Sequence, residues 1–329
     1  MQIQQIIGAD LSKKTIDLVC HLSQNHIQIE NSGSGFKGML KWLKLQGINP
    51  AEVMIVMEHT GLYSYCFEDF LHRHQICFAK VNALTIKRSL GMVRGKNDKI
   101  DAKRIAGYGY EKKEQLITEA PVDKDLKALQ MLHSTRARLV KQRAALICAI
   151  KEYRNIGIQE KDLILHSQLQ MIKSFDKQID RLETEIETVI EKQELLKQNF
   201  RLLQSIKGVG KVLALNAIIK TNNFTRFANA RKFACYCGTA PFEHTSGTSI
   251  KGRTRVSHLA DKQMKTLLDL SAKTAIQHDK ELREFYLKRL SLGKSKMSTI
   301  NIVRNKILYR MFAVVKRQTP FIENYLQAA

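Results

Sequence analysis

Four carboxylates, Asp10, Glu58, Asp98 and Asp101, have the residue types and spacing of a metal-dependent phosphoryl-transfer centre. Two-metal chemistry needs several carboxylates converging on one spot, with about 3.5–4 Å between the ions. Mg²⁺ takes oxygen ligands in an octahedral arrangement and keeps some of its waters. Carboxylates gathered that closely without a cation would take up protons, because like charges disfavour ionisation. Asp10 and Glu58 each end a short apolar run that reads as a strand, the place where α/β sheets present ligands. If those strands are parallel neighbours, the two side chains share one edge of the sheet. Asp98 and Asp101 are three positions apart in a predicted helix and share a face. Any one of the four alone would read better as a turn or helix cap.

A second kind of chemistry is nucleophilic. The segment Gly238-Thr239-Ala240-Pro241-Phe242-Glu243-His244-Thr245-Ser246-Gly247 is rich in hydroxyls, with Thr248, Ser249 and Ser257 close behind. A hydroxyl in a glycine-bearing loop is usually a turn residue, and chemistry alone does not choose among them. His244 is the nearest side chain able to act as a base. Lys251, Arg253 and Arg255 follow and suit backbone phosphates. Upstream, Lys207 and Lys211 flank Gly208-Val209-Gly210. That turn reads either as a glycine hairpin whose amides hold a phosphate or as a plain C-cap glycine.

The elements that must position these residues fall into three stretches. Residues 1–122 alternate strand and helix signals. Ile3 to Ala9, Thr15 to Leu22 and His26 to Glu30 read as a strand meander, Phe36 to Gln46 as an amphipathic helix and Val53 to Met57 as a buried strand. A helix from about Tyr63 to Arg73 and a strand from Ile76 to Val81 follow. Such alternation predicts an α/β layer, a mixed sheet with helices on both faces. Residues 123–200 are predicted helical. A heptad register, with Leu165, Ile172, Ile179 and Ile186 at a and Phe175, Leu182, Val189 and Leu196 at d, predicts a coiled coil or long antiparallel hairpin used for self-association. Residues 201–329 are predicted mainly helical, with a loop-rich stretch over 238–252 and helices over about 262–278 and 297–315.

Composition bounds the partners. The 329 residues carry 54 Lys and Arg against 31 Asp and Glu, a formal net charge of +23. An excess of that size answers to a polyanion, and nucleic acid is the first candidate, because neutralising phosphates releases counterions. From Thr245 to Ala329, about a quarter of the chain, there are 17 basic against 6 acidic residues. Six cysteines lack disulfide or zinc spacing, and Cys235 and Cys237 read as two small apolar residues on one face of a strand. The start has no basic n-region, and no apolar run reaches the ~18 residues of a membrane span. These features predict a protein of a reducing cytoplasm, away from membranes.

Three local contexts, Gly8-Ala9-Asp10-Leu11-Ser12-Lys13-Lys14-Thr15, Glu58-His59-Thr60-Gly61-Leu62-Tyr63 and Lys96-Asn97-Asp98-Lys99-Ile100-Asp101-Ala102, occur in that order over about 95 residues. Together they resemble the acidic motifs of the DEDD transposases of insertion sequences, a family with relatives of a pilin-gene invertase. The resemblance implies an RNase H-like (RuvC-like) α/β domain, a helical coiled-coil connector and a mainly α-helical C-terminal domain. It makes Asp10, Glu58, Asp98 and Asp101 the ligands of Mg²⁺, with Mn²⁺ as a substitute. The Ser246-Gly247 pair resembles the family's C-terminal signature, which implies that Ser246 is the nucleophile that takes a DNA end. Leu203 to Gly210 is similar to the opening motif of the same domain. The family further implies cutting and rejoining of donor and target double-stranded DNA through a Holliday junction, a structured guide RNA, and a dimer or tetramer in which a complete site is assembled between protomers. The alternative is a hydrolytic junction resolvase that uses the tetrad and water. One departure stands out: Ala260-Asp261 and Met264-Lys265 replace the family's usual Gly-Asn and Leu-Arg pairs, which puts DNA contacts in that stretch in question.

Overall fold

Ile6, Gly8 and Asp10 alternate along the first strand with Ile7, Ala9 and Leu11, and that alternation decides which face of the first domain carries the acidic corner. The computed structural model describes residues 3–91, 95, 97–119, 121, 123–246 and 250–322. It divides into two units, Met1–Pro121 and Val122–Ala329.

Among the described residues the first unit holds a five-stranded sheet in the order β3-β2-β1-β4-β5. β1 (Gln5–Leu11), β2 (Thr15–Cys20) and β3 (His26–Glu30) form the antiparallel meander expected from the sequence. β4 (Val53–Glu58) and β5 (Cys77–Val81) run parallel to β1. One face carries Ile7, Ala9, Leu11, Ile55 and Met57 and is covered by α1 (Gly33–Leu45) and α2 (Tyr65–Arg73) through Phe36, Met39, Phe67 and Leu71. The other carries Ile6, Met54, Val56 and Ala79, packed with Ile86 of α3 (Ala83–Ser89) and Ile105 of α4 (Asp98–Glu111). This is the mixed α/β layer, with helices on both faces, that the sequence predicts.

Gly8 lets α4 settle directly on β1. A Cβ placed on it would stand 2.1 Å from the Ala102 carbonyl oxygen and 2.3 Å from the Ala106 nitrogen, both backbone atoms that cannot step aside.

In the second unit, α5 (Lys124–Asn155) and α6 (Leu163–Lys192) form a long antiparallel pair. Arg136–Glu183 and Arg143–Asp176 ion pairs step along it in opposite directions on the two helices, as antiparallel packing requires. The heptad residues Leu165, Ile179, Ile186 and Val189 are buried. At its base Leu126, Leu129, Ile186 and Ile190 join the core of α7 (Glu194–Gln204), α8 (Lys211–Thr221), α9 (Ala230–Tyr236), α10 (Lys262–His278), α11 (Lys280–Ser291) and α12 (Lys296–Arg317).

Two sequence-based expectations need correction here. The Phe233-to-Cys237 run is helical, with Cys237 capping α9, and is not a strand. Phe233, Ala234 and Cys237 are buried at i, i+1 and i+4, the spacing of one helical face. The stretch read as loop-rich contains a hairpin of β6 (Pro241–Ser246) and β7 (Ile250–Val256).

Candidate active site

Asp10, the penultimate residue of β1, and Glu58, the last of β4, lie one step beyond the Ala9–Met57 register of these parallel neighbours, so they come out at the same edge of the sheet. Both follow the parity of Gly8 and Val56 and therefore face α4. The first turn of α4 supplies the other pair. Asn97 caps that helix, its side-chain oxygen accepting the Ile100 N–H at 2.8 Å, and Asp98 and Asp101 follow within the turn. Carboxylates are favoured at this end by the unpaired N–H groups and the helix dipole. The sheet and one helix thus bring the four predicted acids to one corner.

Burial, then the charges of Asp98, Asp101, Glu58 and Asp17, push the Asp10 carboxyl up to about 6. Asp17 was not singled out in the sequence. It lies directly opposite Asp10 on β2, is buried, and is held by His26 Nε2 at 2.7 Å and Gln28 Nε2 at 3.0 Å. Arg104 was missed too. Its Nη1 contacts Asp101 Oδ1 at 2.9 Å, while Nη2 donates to the Gly95 carbonyl at 3.0 Å. The i,i+3 spacing of Asp101 and Arg104 was the available signal.

In the second unit, Ser246 is the last residue of β6, paired with Ile250. Gly247 lies outside the described residues. The hairpin's base is braced on both sides. The Thr239 carbonyl accepts from Asn301 Nδ2 at 2.8 Å and Asn305 Nδ2 at 2.9 Å, and the Thr239 hydroxyl donates to Asn305 Oδ1 at 2.8 Å. Across from them, Asp261 accepts the Tyr236 hydroxyl at 3.0 Å, pairs with Lys220 at 2.9 Å, and caps α10 by accepting the Met264 N–H at 2.9 Å.

Comparison with known proteins decides what this arrangement belongs to. Residues 7–153 match the DEDD transposase domain of IS110 elements, and residues 200–287 match the domain described as Transposase IS116/IS110/IS902 family. The chain belongs to the IS110 family of transposases. It is 25% identical over 327 residues to the pilin gene-inverting protein of Moraxella bovis, covering 96% of this chain and 97% of that one. The counterpart from Moraxella lacunata matches over the same span at the same identity. The transposase of insertion sequence element IS1111A from Coxiella burnetii is 25% identical over 251 residues, 69% of this chain and 68% of its own. The protein is accordingly a DNA recombinase that acts on DNA.

A DEDD domain implies dependence on a divalent metal. The four acids would suit a hard cation, being all carboxylate, and burial, followed by the charges of the neighbouring acids, raises Asp10. Among the described residues, however, no three His, Cys, Asp or Glu side chains are gathered closely enough to hold an ion.

Asp261 is inward-facing and structural in this transposase. Burial works to raise its carboxyl, but the Met264 N–H, Lys220 and Tyr236 hold it below the usual carboxylate range. Met264 is fully buried. Gly208 has φ +89°, and a Cβ on it would meet the Ser271 carbonyl oxygen at 2.6 Å, so turn geometry and the close approach of α10 both require glycine. Gly210 caps α8, and Lys211 pairs with Glu187 at 2.6 Å. Lys251, Arg253 and Arg255 occupy alternate positions of β7. No helix among the described residues is long and apolar enough to cross a membrane.

Proposed function

We propose that this transposase cuts and rejoins double-stranded donor and target DNA by two successive transesterifications, with Asp10, Glu58, Asp98 and Asp101 as Mg²⁺ ligands and Ser246 as nucleophile. The observation that supports the reading is that the ends of β1 and β4 and the first turn of α4 place the four acids on the same side of the first unit. Mg²⁺ there would supply Lewis-acid activation of a phosphodiester and charge stabilisation. The Ser246 hydroxyl attacks phosphorus. A P–O bond to the sugar breaks, a sugar hydroxyl departs with a proton, and the DNA end stays as a phosphoserine ester. Attack by the sugar hydroxyl of another DNA end reverses these events and frees the serine. Ester bonds are exchanged, so no external energy is needed, and exchange of one strand per site passes through a Holliday junction. Lys251, Arg253 and Arg255 contact phosphates in this scheme, with Lys207 and Lys211 reaching DNA only where the Lys211–Glu187 pair gives way. A structured guide RNA pairs with both DNAs, as the family resemblance implies, and self-association through the α5–α6 hairpin brings two or four protomers together.

The test is a denaturation-resistant protein–DNA adduct on a substrate carrying the element ends. Wild-type protein with Mg²⁺ is expected to form it, and Ser246→Ala to lose it by at least about a hundredfold. Asp10→Asn or Asp98→Asn should lose cleavage altogether. Continued cutting by Ser246→Ala with no adduct in any variant would establish the hydrolytic alternative.

A further inference from the structure

Leu62 and Tyr63 are 78% and 49% exposed in the short turn Gly61–Ser64, which leaves the sheet edge just after β4. The turn that presents them is held from three sides. Gly61 sets it with φ +70°. The buried Ser64 hydroxyl donates to Glu68 Oε1 at 2.6 Å, and Glu68 Oε2 pairs with Lys80 at 3.0 Å. Asn31 clamps the turn to the one between β1 and β2, which leaves the same edge. Its side-chain Nδ2 donates to the Tyr63 and Ser12 carbonyls, each at 2.9 Å, and its backbone N–H donates to the Lys14 carbonyl at 2.8 Å. The β1–β2 turn carries Lys13 and Lys14, which are exposed and make no ion pair among the described residues.

We propose that these two clamped turns form one contact for unpaired DNA: Tyr63, with Leu62 beside it, stacks on the face of an unpaired base, and Lys13 and Lys14 take the phosphates that flank it. The inference rests on reading the protein as one that cuts and rejoins duplex strands, because exchange leaves unpaired nucleotides beside the cut. Intact duplex turns its phosphates outward and keeps its base faces stacked on one another. It would satisfy the lysines and leave the ring and the leucine in water. An unpaired nucleotide satisfies both. Every base has a π-face, so the contact is indifferent to sequence. Asn31 fixes ring and cations relative to each other, so that neighbouring nucleotides meet them without a prior rearrangement. Holding a base in this way delays re-annealing of the opened strand until it is joined to its new partner.

The experiment measures binding of full-length protein, by fluorescence anisotropy, to a fully paired duplex and to the same duplex with an unpaired bulge in one strand. Wild type is expected to prefer the bulged duplex by about tenfold. Tyr63→Ala should lose at least about fivefold on the bulged duplex and stay within about twofold of wild type on the paired one. Tyr63→Phe keeps the ring and should keep the preference. Replacing Lys13 and Lys14 together by Gln should weaken both DNAs and flatten the dependence of log K on log salt by about 1 to 2. If Tyr63→Ala fails to fold, Leu62→Ala, at the more exposed position, carries the same test with an expected loss of about threefold on the bulge. No preference for the bulge in wild type, or an equal preference in Tyr63→Ala, overturns the proposal. So does a dependence on Tyr63 that appears with an RNA bulge and not with a DNA one. Ser246→Ala should bind both DNAs as wild type does. If it does while no protein–DNA adduct ever forms, the serine reading fails and the stacking contact stands.

Discussion

Asp10 faces Glu58 across a parallel register, Asp17 across an antiparallel one, and the first turn of α4 from above. Its carboxyl, raised from 3.8 to about 6, gives the corner a pH signature. Between those values the folded protein keeps a proton that the unfolded chain has released, so stability falls as pH rises through that window. The contribution is fully present below about pH 4 and lost above about pH 6. Asp10→Asn removes the repulsion. In EDTA it should be more stable than wild type above pH 6, by on the order of 1 kcal/mol after discounting for the group's partial exposure, and should converge with it near pH 4. Urea unfolding across pH 4 to 8 measures this, and a difference that ignores pH would mean that the acids do not crowd Asp10. At this scale the tetrad was legible, because motif order and strand ends are linear features. Asp17 and Arg104 were not, since a partner across a hairpin or one turn along a helix gains meaning only once the neighbouring acids are in place.

Elements succeed or fail by periodicity, and the contrast between β1 and α9 shows why. The apolar runs of β1, β4 and β5 are bounded by turns and buried on both faces, which leaves helix no competing register. Phe233 to Cys237 alternates by accident over five residues. The deciding signal lay upstream in Asn229, whose side chain caps the helix by accepting the Lys232 N–H at 3.0 Å. The β6–β7 hairpin was hidden because its polar residues show no apolar face, and its order comes from contacts at its base made by Asn301 and Asn305, some sixty residues on. The seating of α4 on β1 is the element contact on which the acidic corner depends most directly. Gly8→Ala should therefore cost about 3 kcal/mol in urea unfolding, and should weaken Mn²⁺ binding as well by lifting Asp98 and Asp101 from the strand ends. A Gly8→Ala protein with wild-type stability and metal affinity would show that α4 can shift without disturbing the corner.

Over the whole molecule, charge divides into cations held by the fold and cations left to a polyanion. The excess of 17 basic over 6 acidic residues from Thr245 onward overstates what DNA can use. Arg304 and Lys273 pair with Asp269, Arg310 bridges Asp279 and Glu281, and Lys306 approaches Glu281 at 3.6 Å. These pairs knit α10, α11 and α12 together, and a cation already neutralised inside the protein releases no counterions from DNA. Lys251, Arg253 and Arg255, at alternate positions on the strand that returns from Ser246, belong to the other group in the proposed function. Each phosphate contact steepens the dependence of log K on log salt by about 0.9. Replacing all three by Gln is expected to flatten the slope for duplex DNA by about 2 to 3, with affinity falling most at low salt. Lys273→Gln with Lys306→Gln removes two charges as well, yet should leave the slope within about 0.5 of wild type. Equal flattening by both sets of substitutions would mean that DNA feels only the summed field of the chain, and that no particular strand presents its charge to the backbone.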